Sequence, residues 1–207
     1  MVKIQKILFA VPNDRWFENN RHWHSFPYTL GILNSVLKDK YNVKILDASF
    51  ENLSQERVKK MIANFNPDVV GISCMSVELI KHFHEIASIT KSVCPNAIVI
   101  AGGVYPTVLP EILIQDPNID YEILGEGEYR LPKFLACLEN NNFDIEKIDG
   151  LVYRSNGKVI IQKIKEYIQD LDSLPFPYYE NLDLLAYANI ANKYAYFIYP
   201  KRFPVAY

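Results

Sequence analysis

A chain of 207 residues with 49% hydrophobic and 22% charged residues can bury the core of one ordinary domain plus an appendage, and is too apolar for a disordered segment. Its net charge of −2, from 22 basic and 24 acidic residues interspersed along the chain, offers no basic face to a nucleic acid. No apolar run approaches the roughly 18 residues of a membrane span. The opening M-V-K-I-Q-K-I-L-F-A-V-P lacks a small-residue cleavage site and reads as a first strand, so a cytoplasmic protein is expected.

Residues 4–11 form an apolar run suited to a buried strand. Residues 27–40 follow as a helix, with Leu30, Leu33, Val36 and Leu37 at helical spacing. Residues 43–46 read as a strand ended by Asp47. Ser54 can cap a helix over 55–65 that carries Val58, Ile62 and Phe65 on one face, and Asn66-Pro67-Asp68 breaks it. A third strand is expected over 68–73 and the longest helix over 77–93, with Leu79, Ile80, Phe83, Ile86 and Ala87 as its buried stripe. His82 and His84 are two residues apart on that helix, do not share a face, and are expected at the surface or its boundary. After Cys94-Pro95-Asn96 come a strand over 97–101, a short helix over 107–114, a strand over 119–124 and a closing helix over 129–139. Five strands, each followed by a helix, predict a doubly wound α/β fold of flavodoxin-like or Rossmann-like type, with a five-stranded parallel sheet. Such folds bind ligands at the carboxyl ends of their strands.

The pattern changes after residue 145. Residues 150–154 and 158–162 alternate like strands around Ser155-Asn156-Gly157, a hairpin signal. Pro175 and Pro177 in D-L-D-S-L-P-F-P-Y-Y-E favour an extended, stiff connection. The tail over 182–207 is dense in aromatics, among them Tyr187, Tyr194, Tyr196, Phe197, Tyr199, Phe203 and Tyr207, and reads as an element that packs on this domain or leads into another. The expected division is an α/β domain over 1–145, a β-hairpin appendage over 146–169, and a proline-containing linker with an aromatic tail over 170–207.

Three cysteines, Cys74, Cys94 and Cys137, are odd in number and too scattered for a disulfide framework or a zinc or iron–sulfur pattern; Cys74 and Cys137, in apolar contexts, read as small buried hydrophobes. The chemistry lies at the strand ends. The run I-V-I-A-G-G-V-Y-P-T over 98–107 takes a buried strand into Gly102-Gly103, where a flat ligand can approach the backbone. V-V-G-I-S-C-M-S over 69–76 and Y-E-I-L-G-E-G-E over 121–128 are similar ends, and together the three suggest one cleft. A phosphoacceptor receiver domain needs an Asp where this chain has Ser73-Cys74 and a Lys where it has Gly125. A flavodoxin needs a hydroxyl-rich phosphate loop where Pro12-Asn13-Asp14-Arg15-Trp16 stands, and Gly125-Glu126-Gly127 lacks the third glycine of a dinucleotide fingerprint.

A hydroxyl at Ser73 after the third strand and a glycine pair after the fourth resemble the cobalamin-binding domain family. In that family a Ser-x-Leu-like segment, here Ser73-Cys74-Met75, and a Gly-Gly segment line a slot for the detached dimethylbenzimidazole tail, with the corrin over the strand ends. P-x-x-L-G at 27–31, P-D-V-V-G-I-S at 67–73, G-G-V-Y-P-T at 102–107, G-E-G-E at 125–128, I-D-G-L-V-Y-R at 148–154 and L-D-S-L-P-F-P at 171–177 recur in that order in one subgroup. That subgroup is the N-terminal region of cobalamin-dependent radical S-adenosylmethionine enzymes, and the match covers about residues 4–180. The resemblance implies a module that holds cobalamin ahead of a barrel whose Cys-x-x-x-Cys-x-x-Cys binds a 4Fe–4S cluster and S-adenosylmethionine. No such cysteine triplet occurs in these residues, so the chain by itself is expected to hold the cofactor without turnover. Methyl transfer is the reaction most associated with the subgroup, and ring contraction or formation also occurs. The radical S-adenosylmethionine domain is then the partner, in cis or in trans, with no nucleic acid and no membrane.

The implied cofactor-binding residues are Ser73, Met75, Gly102, Gly103, Val104, Tyr105, Thr107, Gly125, Glu126 and Gly127. Val104, Tyr105 and Thr107 would line the rim, and Glu126 and Glu128 can accept hydrogen bonds from a ligand's amide or ribose hydroxyl groups, or cap the closing helix. Ser73 can equally cap the next helix, and the glycine pair can be a tight turn. The Asp-x-His-x-x-Gly that supplies a cobalt ligand in the methionine-synthase type is absent, since Asp14 precedes Arg15-Trp16, so no protein nitrogen is expected on cobalt. His22 and His24 are the candidates if there is one; Trp16 and Trp23 cover the corrin or close the loop on the core. A valine at Gly103 is expected to block the slot while the chain still folds. The competing functions are a flavodoxin-like binder of another flat cofactor and a non-catalytic docking domain.

Overall fold

The computed structural model describes residues 3–17, 26–140 and 145–187. His22, His24, Trp23 and the tail beyond Tyr187 lie outside the described residues. No helix among the described residues is long and apolar enough to cross a membrane.

The first strand, β1 (Lys6–Val11), is followed by α1 (Tyr28–Leu37), β2 (Asn42–Asp47), α2 (Gln55–Phe65), β3 (Val69–Ser73) and α3 (Ile80–Val93). A single 3₁₀ turn, Val77–Leu79, leads into α3. Then come β4 (Ile98–Gly102), α4 (Val104–Val108), α5 (Pro110–Leu113), β5 (Tyr121–Ile123), α6 (Gly127–Glu139), β6 (Leu151–Ser155) and β7 (Lys158–Ile161). The strands run in the order β2-β1-β3-β4-β5-β6-β7, parallel up to β5 and antiparallel beyond it. The sheet therefore has seven strands where five were expected. Asn156 and Gly157, both at positive φ, turn the hairpin, and its first strand pairs with β5 instead of standing apart.

Apolar alternation splits the core in two. Side chains such as Leu8, Val70, Ile72, Val99 and Ala101 pack under α2 and α3, with Val58, Ile62, Phe83 and Ile86. Their neighbours Ile7, Phe9, Val69, Ile100 and Ile123 face α1 and α6, with Leu30, Leu37, Leu131 and Phe134. α2 begins as its sequence says: Ser54 Oγ accepts from Arg57 N at 3.2 Å, and Asn66 closes the helix in the left-handed region. The helix predicted over 107–114 is two shorter ones. Pro106 fits in the first turn of α4, where its missing N–H costs nothing, and Pro110 opens α5 after a non-helical Leu109.

The proline segment is fastened to the domain. Tyr178 N donates to Gly31 O at 3.0 Å, Asn34 Nδ2 to Tyr178 O at 2.9 Å, and Asn181 Nδ2 to Ile45 O at 2.7 Å. Tyr187 stacks on Phe50 with centroids 3.6 Å apart and donates to Asp47 Oδ2 at 2.7 Å. The Tyr179 ring lies where a side chain on Gly31 would be, so close that a Cβ there would stand 1.9 Å from Tyr179 Cε1. This close approach explains the glycine in P-Y-T-L-G. Gly31→Ala is expected to expel Tyr179 and release the segment, costing about 2–4 kcal/mol. Limited proteolysis should then cut within 174–187 faster than in wild type; equal cleavage rates would count against the contact.

Candidate functional site

A slot of about 400 Å³ opens where β3, β4 and β5 end, between the sheet and the first turns of α1 and α6. This is within the usual size of a small-molecule site. Strand alternation decides what faces it. Phe9, Gly71, Ser73, Ile100, Gly102 and Ile123 line the sheet side, Thr29, Leu30 and Leu33 the α1 side, and Gly127, Glu128 and Leu131 the α6 side. The Phe9 ring fills the space that Gly71 leaves, where a Cβ would come within 2.6 Å of it.

The two glycines after β4 have different tasks. Gly103 has φ +101°, and a Cβ on it would stand 2.7 Å from the Cys74 carbonyl oxygen. That carbonyl accepts from Tyr105 N at 3.1 Å, while Cys74 N donates to Gly102 O at 2.7 Å, so the ends of β3 and β4 are zipped together across Gly103. Gly102 pairs with Ser73 in the sheet, and a Cβ on it would meet only the Ile123 carbonyl oxygen, at 3.6 Å. Gly103 thus serves the backbone, and Gly102 keeps the slot open.

Thr107 staples the next two loops. Its Oγ1 donates to Gly103 O at 2.7 Å and accepts from Gly125 N at 2.8 Å. Glu126 accepts from Ile168 N at 2.7 Å through Oε2, and its carbonyl accepts from Arg130 Nη1 at 2.8 Å. Arg130 is buried, pairs with Asp149 at 2.8 Å and also donates to Glu166 O, which ties the segment after the hairpin over the start of α6. Burial pushes the Asp149 carboxyl up, but hydrogen bonds from Arg130 and Lys165 N outweigh it and hold the carboxyl below its usual range.

Ser73, Met75, Gly102, Gly103, Val104, Thr107, Gly125, Glu126 and Gly127 all line the slot. Ser73 Oγ has no hydrogen-bond partner among the described residues; Ser76 makes the cap, accepting from Glu78 N at 3.3 Å. Met75, Val104 and Val108 are exposed and line the mouth with apolar surface. Tyr105 does not join them: it turns into the core beneath α3, on the other side of the sheet. Phe9, Gly71, Thr29, Leu30 and Leu33 complete the slot and were not singled out from the sequence as site residues. Their visible signals were P-x-x-L-G at 27–31, which contains Thr29 and Leu30, and the glycine within P-D-V-V-G-I-S.

Other side chains have structural roles. Trp16 donates to Leu53 O at 2.7 Å and packs on the core, closing its loop. Burial, reinforced by the charge of Glu122, pushes the Cys74 thiol up to about 12, so it stays protonated and unreactive. His84 lies 2.6 Å from an Asp116 carboxylate oxygen. His82, expected near the surface, is buried against the edge of Phe17, and this burial lowers its pKa.

The model of the B12-binding domain matches residues 24–135. The uncharacterized methyltransferase PH0819 of Pyrococcus horikoshii is 30% identical over 188 residues, which are 90% of this chain and 40% of that protein. Cytidylyl-2-hydroxyethylphosphonate methyltransferase of Streptomyces wedmorensis is 28% identical over 91% of this chain and 42% of its own length. The chain thus spans about two fifths of these relatives. Among solved structures, the cobalamin-dependent S-adenosylmethionine radical enzyme OxsB, with aqua-cobalamin and S-adenosylmethionine bound, shares the fold with a TM-score of 0.72 at 20% identity, over 90% of this chain and 25% of that one. The slot at the strand ends and the matched residues that build it make this chain a member of the B12-binding domain family.

Proposed function

We propose that this chain is the cofactor-holding module of a cobalamin-dependent radical S-adenosylmethionine enzyme acting in methyl transfer. In this reading residues 1–145 bind cobalamin, 146–169 extend the sheet, and 170–207 connect to a barrel with a 4Fe–4S cluster, in the same chain or in a partner. The protein works in the cytoplasm, without nucleic acid or membrane as partner. The names of the two curated relatives support methyl transfer, and the covered share of their lengths leaves room for a further domain.

The observation that carries the reading is the slot itself. Leu30, Leu33, Ile100, Ile123 and Leu131 wall it with apolar surface, and Gly102 leaves bare backbone where a flat aromatic base can lie. Ser73 offers a free hydroxyl that can donate to a ring nitrogen. Bound cobalamin supplies a cobalt centre that carries a transferable methyl group, chemistry that belongs to the cofactor. The chain's own residues bind and orient. The slot would hold the nucleotide base and shield it from water, and Met75 and Val104 would give the flat ring an apolar seat at the mouth.

Incubation with hydroxocobalamin, desalting and a visible spectrum test this directly. Near-stoichiometric corrin absorbance with the base-detached band pattern is expected. No retained corrin, or retention of flavin mononucleotide in a parallel sample instead, would overturn the assignment.

A further inference from the structure

The slot has two unlike walls. Strand pairing fixes the sheet side, whereas two separate helices, α1 and α6, form the other. One segment of the chain fastens to both helices. At α6, the Ile164 side chain occupies the space beside Gly125, where a Cβ would come within 3.0 Å of it. Ile168 N donates to Glu126 Oε2 at 2.7 Å, and Ser173 Oγ lies 2.8 Å from Tyr129 Oη. At α1, Tyr178 holds Gly31 O and Asn34 through its backbone, and the Tyr179 ring fills the notch at Gly31. Helical periodicity, at about 100° per residue, puts these ties on faces turned away from the slot. Tyr28, Gly31 and Asn34 lie on the side of α1 opposite Thr29 and Leu33, and Tyr129 and Arg130 on the side of α6 opposite Gly127 and Leu131. Between the two sets of ties stands Leu174-Pro175-Phe176-Pro177, whose prolines favour an extended, stiff span. None of residues 163–182 is fully buried, so the segment rests on these ties and can leave without unfolding the core.

We propose that residues 164–179 are a strap that sets the spacing of α1 and α6, and with it the width of the slot, and that cobalamin binding and seating of the strap favour one another. The inference rests on the cobalamin reading above. With the strap seated, the proline span holds the two helices at one separation, and a ligand meets walls that need little further ordering. With the strap released, α1 loses its ties at Gly31 and Asn34, and its slot-facing residues Thr29, Leu30 and Leu33 are free to shift. A ligand must then reorder this wall as it binds, which lowers its apparent affinity. Linkage makes the effect reciprocal: a ligand that prefers the seated form raises the population of that form by the same factor. The strap runs into the 170–207 connection, so occupancy of the slot reaches the segment that leads to the proposed barrel.

Two measurements on the full chain test this. Chymotrypsin, which cuts after aromatic residues, should cleave wild type at Tyr178 and Tyr179 about fivefold or more slowly with saturating hydroxocobalamin than without, since cleavage reports the released population. Titration with hydroxocobalamin should show Tyr179→Ala binding about fivefold or more weakly than wild type. Tyr179→Phe should stay within about twofold, because the ring fills the notch and the hydroxyl adds only a 3.3 Å hydrogen bond to Tyr28 O. Chemical denaturation establishes that each variant is folded under the binding conditions. If Tyr179→Ala does not fold, Pro175→Gly combined with Pro177→Gly softens the span, leaves every tie in place and should weaken binding in the same direction. Simple shielding of the strap by a bound corrin would give the protection without the change in affinity. Equal cleavage with and without hydroxocobalamin, or wild-type affinity in the folded variant, overturns the strap and leaves the slot assignment standing. A folded wild-type chain that binds no cobalamin overturns the slot assignment and this inference with it.

Discussion

A valine in place of Gly102 is expected to weaken cobalamin retention tenfold or more, while the unfolding midpoint stays within about 3 °C of wild type. The Cβ itself finds ordinary room, with the nearest group at 3.6 Å, and a β-branched residue suits a strand position. Its methyl groups, however, project into the slot, where overpacking against a flat ligand costs about 1–3 kcal/mol of binding. Gly103→Val is a poorer probe than its sequence suggests. With φ at +101° and a Cβ 2.7 Å from the Cys74 carbonyl oxygen, the backbone itself must shift. The fold is then expected to lose about 2–5 kcal/mol, so lost binding would not report on the slot. Chemical denaturation and corrin retention measured side by side check both variants. Full cobalamin retention by Gly102→Val would remove the backbone-approach argument.

The second large effect concerns Glu122. This β5 residue is fully buried on the side of the sheet away from the slot, and neither of its carboxyl oxygens has a hydrogen-bond partner among the described residues. Burial pushes its carboxyl from 4.5 up to about 8; the Ile114 backbone and the Arg154 guanidinium favour the charged form but do not offset that burial. The sign follows from linkage. As pH rises above the unfolded value the unfolded chain ionises, while the folded chain keeps its proton until about 8. Stability therefore falls across this window and levels off above it, by about 3–5 kcal/mol from this group. Asp149, held low by Arg130, works in the other direction and loses its contribution as pH falls through its folded value. Glu122→Gln should flatten the decline between pH 5 and pH 8.5 in urea denaturation. Parallel pH profiles for wild type and variant would show that Glu122 does not titrate in this way.

Local signals were legible wherever the physics is local. Ser54 and Asn66-Pro67 bounded α2, Asn156-Gly157 turned the hairpin, and an apolar run led β4 into its glycine pair. Features set by distant partners were not legible. That β6 joins β5 depends on a pairing between Tyr121 and Tyr153, 32 positions apart, which periodicity does not encode. Helical spacing predicts His82 near the surface, but Phe17, from a loop 65 residues earlier, packs against its ring. The place of Tyr105 beside the glycines predicts a rim residue, and only the direction of its side chain sends it into the core under α3.

By itself the sequence determined the α/β class and the strand ends that carry the slot, and the family its motifs resemble implied the kind of ligand to expect. Hydrophobic spacing, capping and glycine placement act over a few residues and survive without the rest of the chain. The tertiary structure alone decided which glycine is structural and which keeps the slot open, because that depends on Cys74 and Ile123 brought in by neighbouring strands. It also decided between Glu126 and Glu128. Ile168, 42 residues downstream, reaches back to satisfy the first, while an oxygen of the second is buried with no hydrogen-bond donor among the described residues.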